Sequence, residues 1–175
     1  VDPIINVDIN NRILKRKGCE VKFINKLLTS EQDKKVKLLN RGRKTMISSQ
    51  DLVSEKFKEI TAETTTLNKI IENVKQKEFK EGKVNFLKID LEGSELDLIR
   101  GGLRVLNFFD FIIIEIGTFV HVGEDLKEII DILYEKSFVC TGCVDAPATI
   151  NGFNGTMDLL FANKNSEYFN LCRNK

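Results

Sequence analysis

The sequence predicts an α/β domain built on a mostly parallel sheet that ends in an antiparallel strand pair, and three observations carry that prediction. The string Asn85-Phe86-Leu87-Lys88-Ile89-Asp90-Leu91-Glu92-Gly93-Ser94-Glu95 begins apolar, changes abruptly into acids and a glycine, and runs on into a helical pattern. That is the form of a buried strand delivering polar residues to a turn. Phe111-Ile112-Ile113-Ile114-Glu115-Ile116-Gly117 repeats the form, a continuous apolar run ending in an acid, as expected of a second parallel strand buried on both faces. Helical stripes follow both runs, and two further strand patterns close the chain.

Taken in order, Asp2 is an N-cap before Pro3, and Ile5, Ile9 and Ile13 form one stripe closed by basic residues and Gly18, an amphipathic helix. Val21, Phe23, Ile24, Leu27 and Leu28 make the next strand. Between Thr29 and Ile60 the pattern alternates, with Val36 and Leu38, a turn at Asn40-Arg41-Gly42-Arg43, then Thr45, Met46 and Ile47. This predicts an antiparallel hairpin inserted at about 29–60. Lys34, Lys35, Lys37, Arg41, Arg43 and Lys44 make it basic, which suits either an anionic acceptor, such as a phosphorylated or uronic sugar, or a solvated edge protected by lysines.

Thr66 caps a helix carrying Leu67, Ile70, Ile71 and Val74. After the central strand, Ser94 with Asp97 has the form of a capping box, and Leu96, Ile99, Leu103 and Leu106 make a buried stripe that Gly101-Gly102 weakens as a continuous helix. Leu126, Ile129, Ile130 and Leu133 mark the next helix. Phe138 to Val144 and Met157 to Ala162 are the last strands, joined through Pro147, Gly152 and Gly155. Residues 1–163 thus read as one domain and residues 164–175 as a polar tail.

A chain of 175 residues that is 42% hydrophobic has the size and apolar fraction of one domain with a real core. Its 27 basic and 26 acidic residues leave a net charge of +1, so no global field draws nucleic acid or a membrane surface. No apolar run reaches the roughly 18 residues of a membrane helix. Four cysteines, Cys19, Cys140, Cys143 and Cys172, are too scattered for a disulfide framework and favour a reducing, cytoplasmic setting. Cys140 and Cys143 have a suggestive spacing, but they lie in a strand pattern with no second pair beside them, which disfavours metal or redox chemistry.

Chemistry is expected where the strands end. With period two, Lys88 and Asp90 share one side of their strand, and a lysine in a buried strand needs a partner, for which Glu115 is the candidate. A structural ion pair accounts for Lys88 and Glu115 as well as a catalytic role does. Asp90 and Glu92, carboxylates beside a glycine turn, have little packing value and can orient a hydroxyl or attract a cationic group. Glu95 and Asp97 suit the helix N-terminus.

Phe86-Leu87-Lys88-Ile89-Asp90-Leu91-Glu92-Gly93-Ser94-Glu95, followed by Leu98-Ile99-Arg100-Gly101-Gly102, closely resembles the signature of the FkbM family of S-adenosylmethionine-dependent methyltransferases. Val1-Asp2-Pro3 looks like the end of the family's second strand, and Thr65-Thr66-Leu67-Asn68-Lys69-Ile70-Ile71 looks like its threonine-leucine helix start, with Asn68 where an Asp is more usual. The resemblance spans roughly Val1 to Asn163. It implies a Rossmann-like class I methyltransferase sheet using S-adenosyl-L-methionine, in which Asp2 takes the ribose hydroxyls, Lys26 and Leu27 lie by the adenine, and Asp90 holds the cofactor by charge. The family's glycine-rich first loop is expected upstream of Val1, so the sheet is expected to start at its second strand and to leave an edge beside Asn85 to Asp90 open to self-association.

The implied reaction is methyl transfer to a hydroxyl oxygen of a sugar or other small acceptor. Asp90, Glu92 and Glu115 are its candidate catalytic residues, together with His121, the one histidine, a natural base near neutral pH if it is not simply a surface residue. The rival reading is a non-catalytic methyltransferase-like fragment or binding module unable to hold the cofactor. A nicotinamide-dependent dehydrogenase is disfavoured, because no Gly-x-Gly-x-x-Gly follows a predicted strand.

Overall fold

A computed structural model describes residues 26–40, 45–47, 58–74, 83–91, 93–117, 123–146 and 156–173. Strands β1 (Leu27–Leu28), β2 (Lys35–Asn40), β3 (Thr45–Ile47) and β4 (Lys58–Thr65) come first and are followed by helix α1 (Leu67–Asn73). Strand β5 (Phe86–Ile89) leads into α2 (Glu95–Gly102), a short 3-10 turn over Leu106–Phe108, and β6 (Phe111–Gly117). Helix α3 (Gly123–Glu135), strands β7 (Phe138–Asp145) and β8 (Thr156–Asn163), and α4 (Glu167–Arg173) complete the order.

The described strands form two sheets of four, in the orders β1-β4-β2-β3 and β5-β6-β8-β7. Among the described residues, β1–β4 and β5–β6 pair in parallel, while β2–β3, β2–β4, β6–β8 and β7–β8 are antiparallel. This corrects the expectation of one mostly parallel sheet. The predicted hairpin exists as β2 and β3, but it recruits β4 along its whole length, from Lys35 opposite Glu63 to Asn40 opposite Lys58. It therefore forms most of a sheet of its own instead of an excursion from one. In the second sheet the final strand pair supplies half of the strands, so its antiparallel pairings outnumber the single parallel one.

The core lies between the second sheet and the helices. Ile89, Ile112, Ile114, Phe138 and Phe161 from the strands meet Ile99, Leu106 and Leu133, and Leu28 and Leu67 join the same cluster. Strand β6 shows which face is inside. Ile112, Ile114 and Ile116 are buried, whereas Phe111, Ile113 and Glu115 between them are half-buried, so the strand is not buried on both faces as its unbroken apolar run predicts. The half-buried face carries the polar residues described below.

Several ends differ from expectation in instructive ways. Thr66 caps α1 as predicted, its side chain accepting from the Lys69 backbone N at 3.2 Å. Ser94 makes no side-chain cap bond, so the predicted capping box with Asp97 is not formed. Helix α2 runs through Gly101 to Gly102 without breaking, Leu98 is buried, and Leu103 is exposed beyond the helix end. The segment read as a polar tail contains α4, whose start is anchored where buried Ser166 donates to Asp110 Oδ1 at 2.5 Å. Asp110 also accepts from the Asn85 backbone N at 2.7 Å, tying the entry to β5 to the same point. No helix among the described residues is long and apolar enough to cross a membrane.

Candidate functional site

Strand pairing aligns four carboxylates in one row. Ile89 lies opposite Ile114 in the parallel β5–β6 pair, so Asp90, the next residue, comes level with Glu115. Glu115 in turn lies opposite Asp158 on β8, and Asp158 opposite Asp145 on β7. Residues facing one another across a ladder point to the same side of a sheet, so Glu115 and Asp158 share the half-buried face with Lys88 and Asp90.

Lys88 Nζ donates to Asp158 Oδ1 at 2.5 Å, with the two side chains 39% and 23% exposed. The predicted need of Lys88 for a partner is met, but by Asp158 and not by Glu115. Glu115 is engaged differently. Its hydrogen bond with the Asp90 carboxyl, supported by partial burial and by the Asp90 charge, holds its own carboxyl above the ordinary glutamate range. A hydrogen bond with Thr156 and the nearby charge of Lys88 pull the other way. A carboxyl whose proton affinity is raised by a neighbouring acid is a better proton acceptor than a free glutamate, the property expected of a general base.

The turn after Asp90 is fixed by a residue that sequence reasoning assigned elsewhere. Glu95 Oε1 accepts from the backbone N of Leu91 at 3.0 Å and of Gly93 at 3.1 Å, and Oε2 accepts from Gly93 N at 3.0 Å. Gly93 has φ +106, a conformation that glycine adopts without steric cost, and a Cβ there would meet nothing within 4 Å, so the turn borders open space. Glu95 thus holds the turn and not merely the helix terminus. Glu95→Ala is expected to leave the fold intact while raising amide exchange at Leu91 and Gly93 by roughly tenfold or more, since hydrogen bonds to a charged acceptor are worth about 1.5–3 kcal/mol. Unchanged protection of both amides in exchange measured by NMR would show that the turn does not depend on Glu95.

A family model described as the methyltransferase FkbM domain matches residues 5–140. The chain belongs to the FkbM methyltransferase family. No curated protein and no solved structure matches it. In this FkbM chain the signature string occupies β5, the turn held by Glu95 and the first turns of α2.

The other predicted site residues divide in two. Lys26 and Leu27 belong to the first sheet, where Leu27 pairs with Thr64 on β4 and Lys26 is ion-paired with Glu63, whose carboxyl that contact holds below the ordinary range. The ammonium of Lys26 is therefore engaged by protein, and strand pairing does not join it to the carboxylate row. Asp2, Glu92 and His121 lie outside the described residues. Asp158 and Thr156 are the residues that sequence reasoning missed. The signal for Asp158 was an acid inside the apolar string Met157-Asp158-Leu159-Leu160-Phe161.

The described site fits a cationic cofactor in two respects. Asp90 is an exposed carboxylate at a strand end, and the Gly93 turn beside it faces open space. No group of three or more His, Cys, Asp or Glu side chains among the described residues is placed to hold a metal ion.

Proposed function

We propose that this chain is an S-adenosylmethionine-dependent O-methyltransferase that methylates a hydroxyl of a sugar or another small acceptor. The observation that carries the reading is the hydrogen-bonded pair Asp90 and Glu115, level with one another just past the end of β5 and among the last residues of β6, in a member of a methyltransferase family. Ligands of open α/β sheets bind beyond the carboxyl ends of the strands. The order β5-β6-β8-β7, a parallel pair continued by an antiparallel pair, supports reading the second sheet as part of a Rossmann-like methyltransferase sheet.

When bound, the cofactor supplies an electrophilic methyl group on a sulfonium. Asp90 would hold that positive charge and orient the acceptor hydroxyl, and Asp2 would hold the ribose. Transfer to a hydroxyl releases one proton, which Glu115 receives into its hydrogen bond with Asp90. Lys88 is ion-paired with Asp158, which sets Asp158 apart from the Asp90–Glu115 pair. Glu92 and His121 belong to the same reading, as a second acid on the turn and an alternative base. Free, exposed Cys140 and Cys143 suit the reducing cytoplasm in which we place the reaction.

The test is a calorimetric titration with S-adenosylmethionine of the chain extended upstream of Val1 through the expected first strand and glycine-rich loop, followed by transfer of labelled methyl to a panel of small hydroxylated acceptors. Wild-type chain is expected to bind, and Asp90→Ala to bind roughly tenfold or more weakly with an unchanged melting temperature, because a charge-assisted contact and not packing is lost. Equal affinity in the variant removes Asp90 from the site. Absence of binding by the wild type supports instead a non-catalytic member of the family.

A further inference from the structure

We propose that Cys140 and Cys143 form a two-thiolate site for a soft monovalent metal ion of the copper(I) class. In a regular strand, residues three apart point to opposite faces. Strand β7 is not regular here. Cys140 lies opposite Phe161, Gly142 opposite Leu160 and Cys143 opposite Leu159, so β7 carries one extra residue between the two cysteines. A bulge of this kind advances one strand without advancing its partner. Phe161 and Leu159 are two apart and face one side of β8, and the cysteines opposite them face that same side.

Two strand rises separate them, which puts the Cα atoms about 6.6 Å apart. Both thiols are free and exposed, on the outermost described strand of the sheet. Cys140 Sγ lies 3.9 Å from the Gly142 carbonyl oxygen, and Cys143 Sγ lies 3.1 Å from that of Asp145.

The geometry also selects the ligand. Direct closure to a disulfide wants Cα atoms about 4.4–6.8 Å apart, so this pair stands at the upper limit. A bridging ion with metal–sulfur distances of about 2.3 Å spans up to roughly 4.6 Å between sulfurs and relieves that constraint. Tetrahedral zinc wants four ligands, and no cluster of even three His, Cys, Asp or Glu ligands occurs among the described residues. An ion satisfied by two thiolates fits, and thiolates select copper(I). Binding forms two metal–sulfur bonds and releases the two thiol protons, with no change of oxidation state.

The experiment is anaerobic transfer of copper(I) from its coloured bicinchoninate complex to the full chain carrying Cys19→Ser and Cys172→Ser. One ion per chain is expected, with affinity falling at least tenfold on Cys140→Ser or Cys143→Ser. A further variant, Gly142→Cys with Cys143→Gly, keeps two thiols but moves the second opposite Leu160, on the other face, and is expected to lose uptake equally. A Cβ at position 142 meets nothing within 4 Å, so this exchange does not disturb packing. Uptake unchanged in the face-exchanged variant or in either serine variant overturns the proposal. So does a chain that closes a Cys140–Cys143 disulfide and takes up no ion.

Discussion

Replacing Glu115 with glutamine is expected to lower methyl transfer by roughly 10²- to 10⁴-fold, the usual contribution of a positioned proton acceptor, while making the fold more stable at neutral pH. The two effects have one cause. Glutamine fills the same space between Ile114 and Ile116 and can still hydrogen-bond with Asp90 and Thr156, but it cannot take a proton. The native Glu115 carboxyl titrates above the ordinary glutamate range, chiefly through its hydrogen bond with Asp90. Between the ordinary and the raised values the folded chain binds more protons than the unfolded one, so stability is complete below that window and falls as pH rises through it. Glu115→Gln removes this fall and flattens the stability curve there. In the wild type, the acidic limb of kcat/KM should follow the same raised titration. A variant that keeps wild-type turnover and the same acidic limb would exclude Glu115 as the base and direct attention to His121.

Much of this pair was legible in the sequence, because two apolar runs each end in an acid and parallel pairing brings such ends level. What was not legible is what lies beyond the pair. Lys88 visibly needed a carboxylate, but choosing between Glu115 and Asp158 required knowing that β8 lies beside β6, a pairing that sets Glu115 opposite Asp158, far along the chain. The adjacent parallel strand suggested Glu115, and the strand beyond it supplies the partner. Glu95 was readable as a helix-terminus acid, and only the φ of Gly93 turns its carboxylate back onto the preceding turn.

The same distinction separates the elements of the fold from their pairing. Hydrophobic period and capping locate β5, β6, α1, α2 and α3, because these signals are local. That β4 joins the inserted hairpin as well as pairing in parallel with β1 is decided by a six-residue antiparallel register from Lys35–Glu63 to Asn40–Lys58, to which no local pattern points. The bulge in β7 is hidden for a related reason. It appears only as a shift of register against β8, and periodicity alone sends Cys140 and Cys143 to opposite faces.

Gly101→Ala carries the largest expected structural effect, with a sign opposite to helix propensity. In a helix interior this substitution ordinarily stabilises by about 0.5–1 kcal/mol. Here a Cβ at position 101 would lie 2.3 Å from the Thr29 carbonyl oxygen and 3.2 Å from the Ser30 Cα, so α2 crosses the end of β1 at a distance that only glycine allows. The carbonyl cannot easily retreat. The Thr29 backbone N donates to the Thr65 carbonyl at 3.0 Å, and its hydroxyl donates to the Glu31 carbonyl at 2.6 Å. Gly102 is less confined, since its Cβ would meet the tip of the Leu67 side chain at 2.8 Å, and a side chain yields more readily than backbone. Overpacking of this kind costs about 1–3 kcal/mol, with Gly101→Ala expected at the upper end and Gly102→Ala at the lower. At roughly 2–4 °C per kcal/mol for a chain of this size, Gly101→Ala should melt about 6–12 °C below the wild type. Thermal and denaturant unfolding of the two variants side by side tests both the magnitude and the order. A Gly101→Ala chain as stable as the wild type would mean that α2 does not approach β1 as closely as described, and would separate the signature helix from the first sheet.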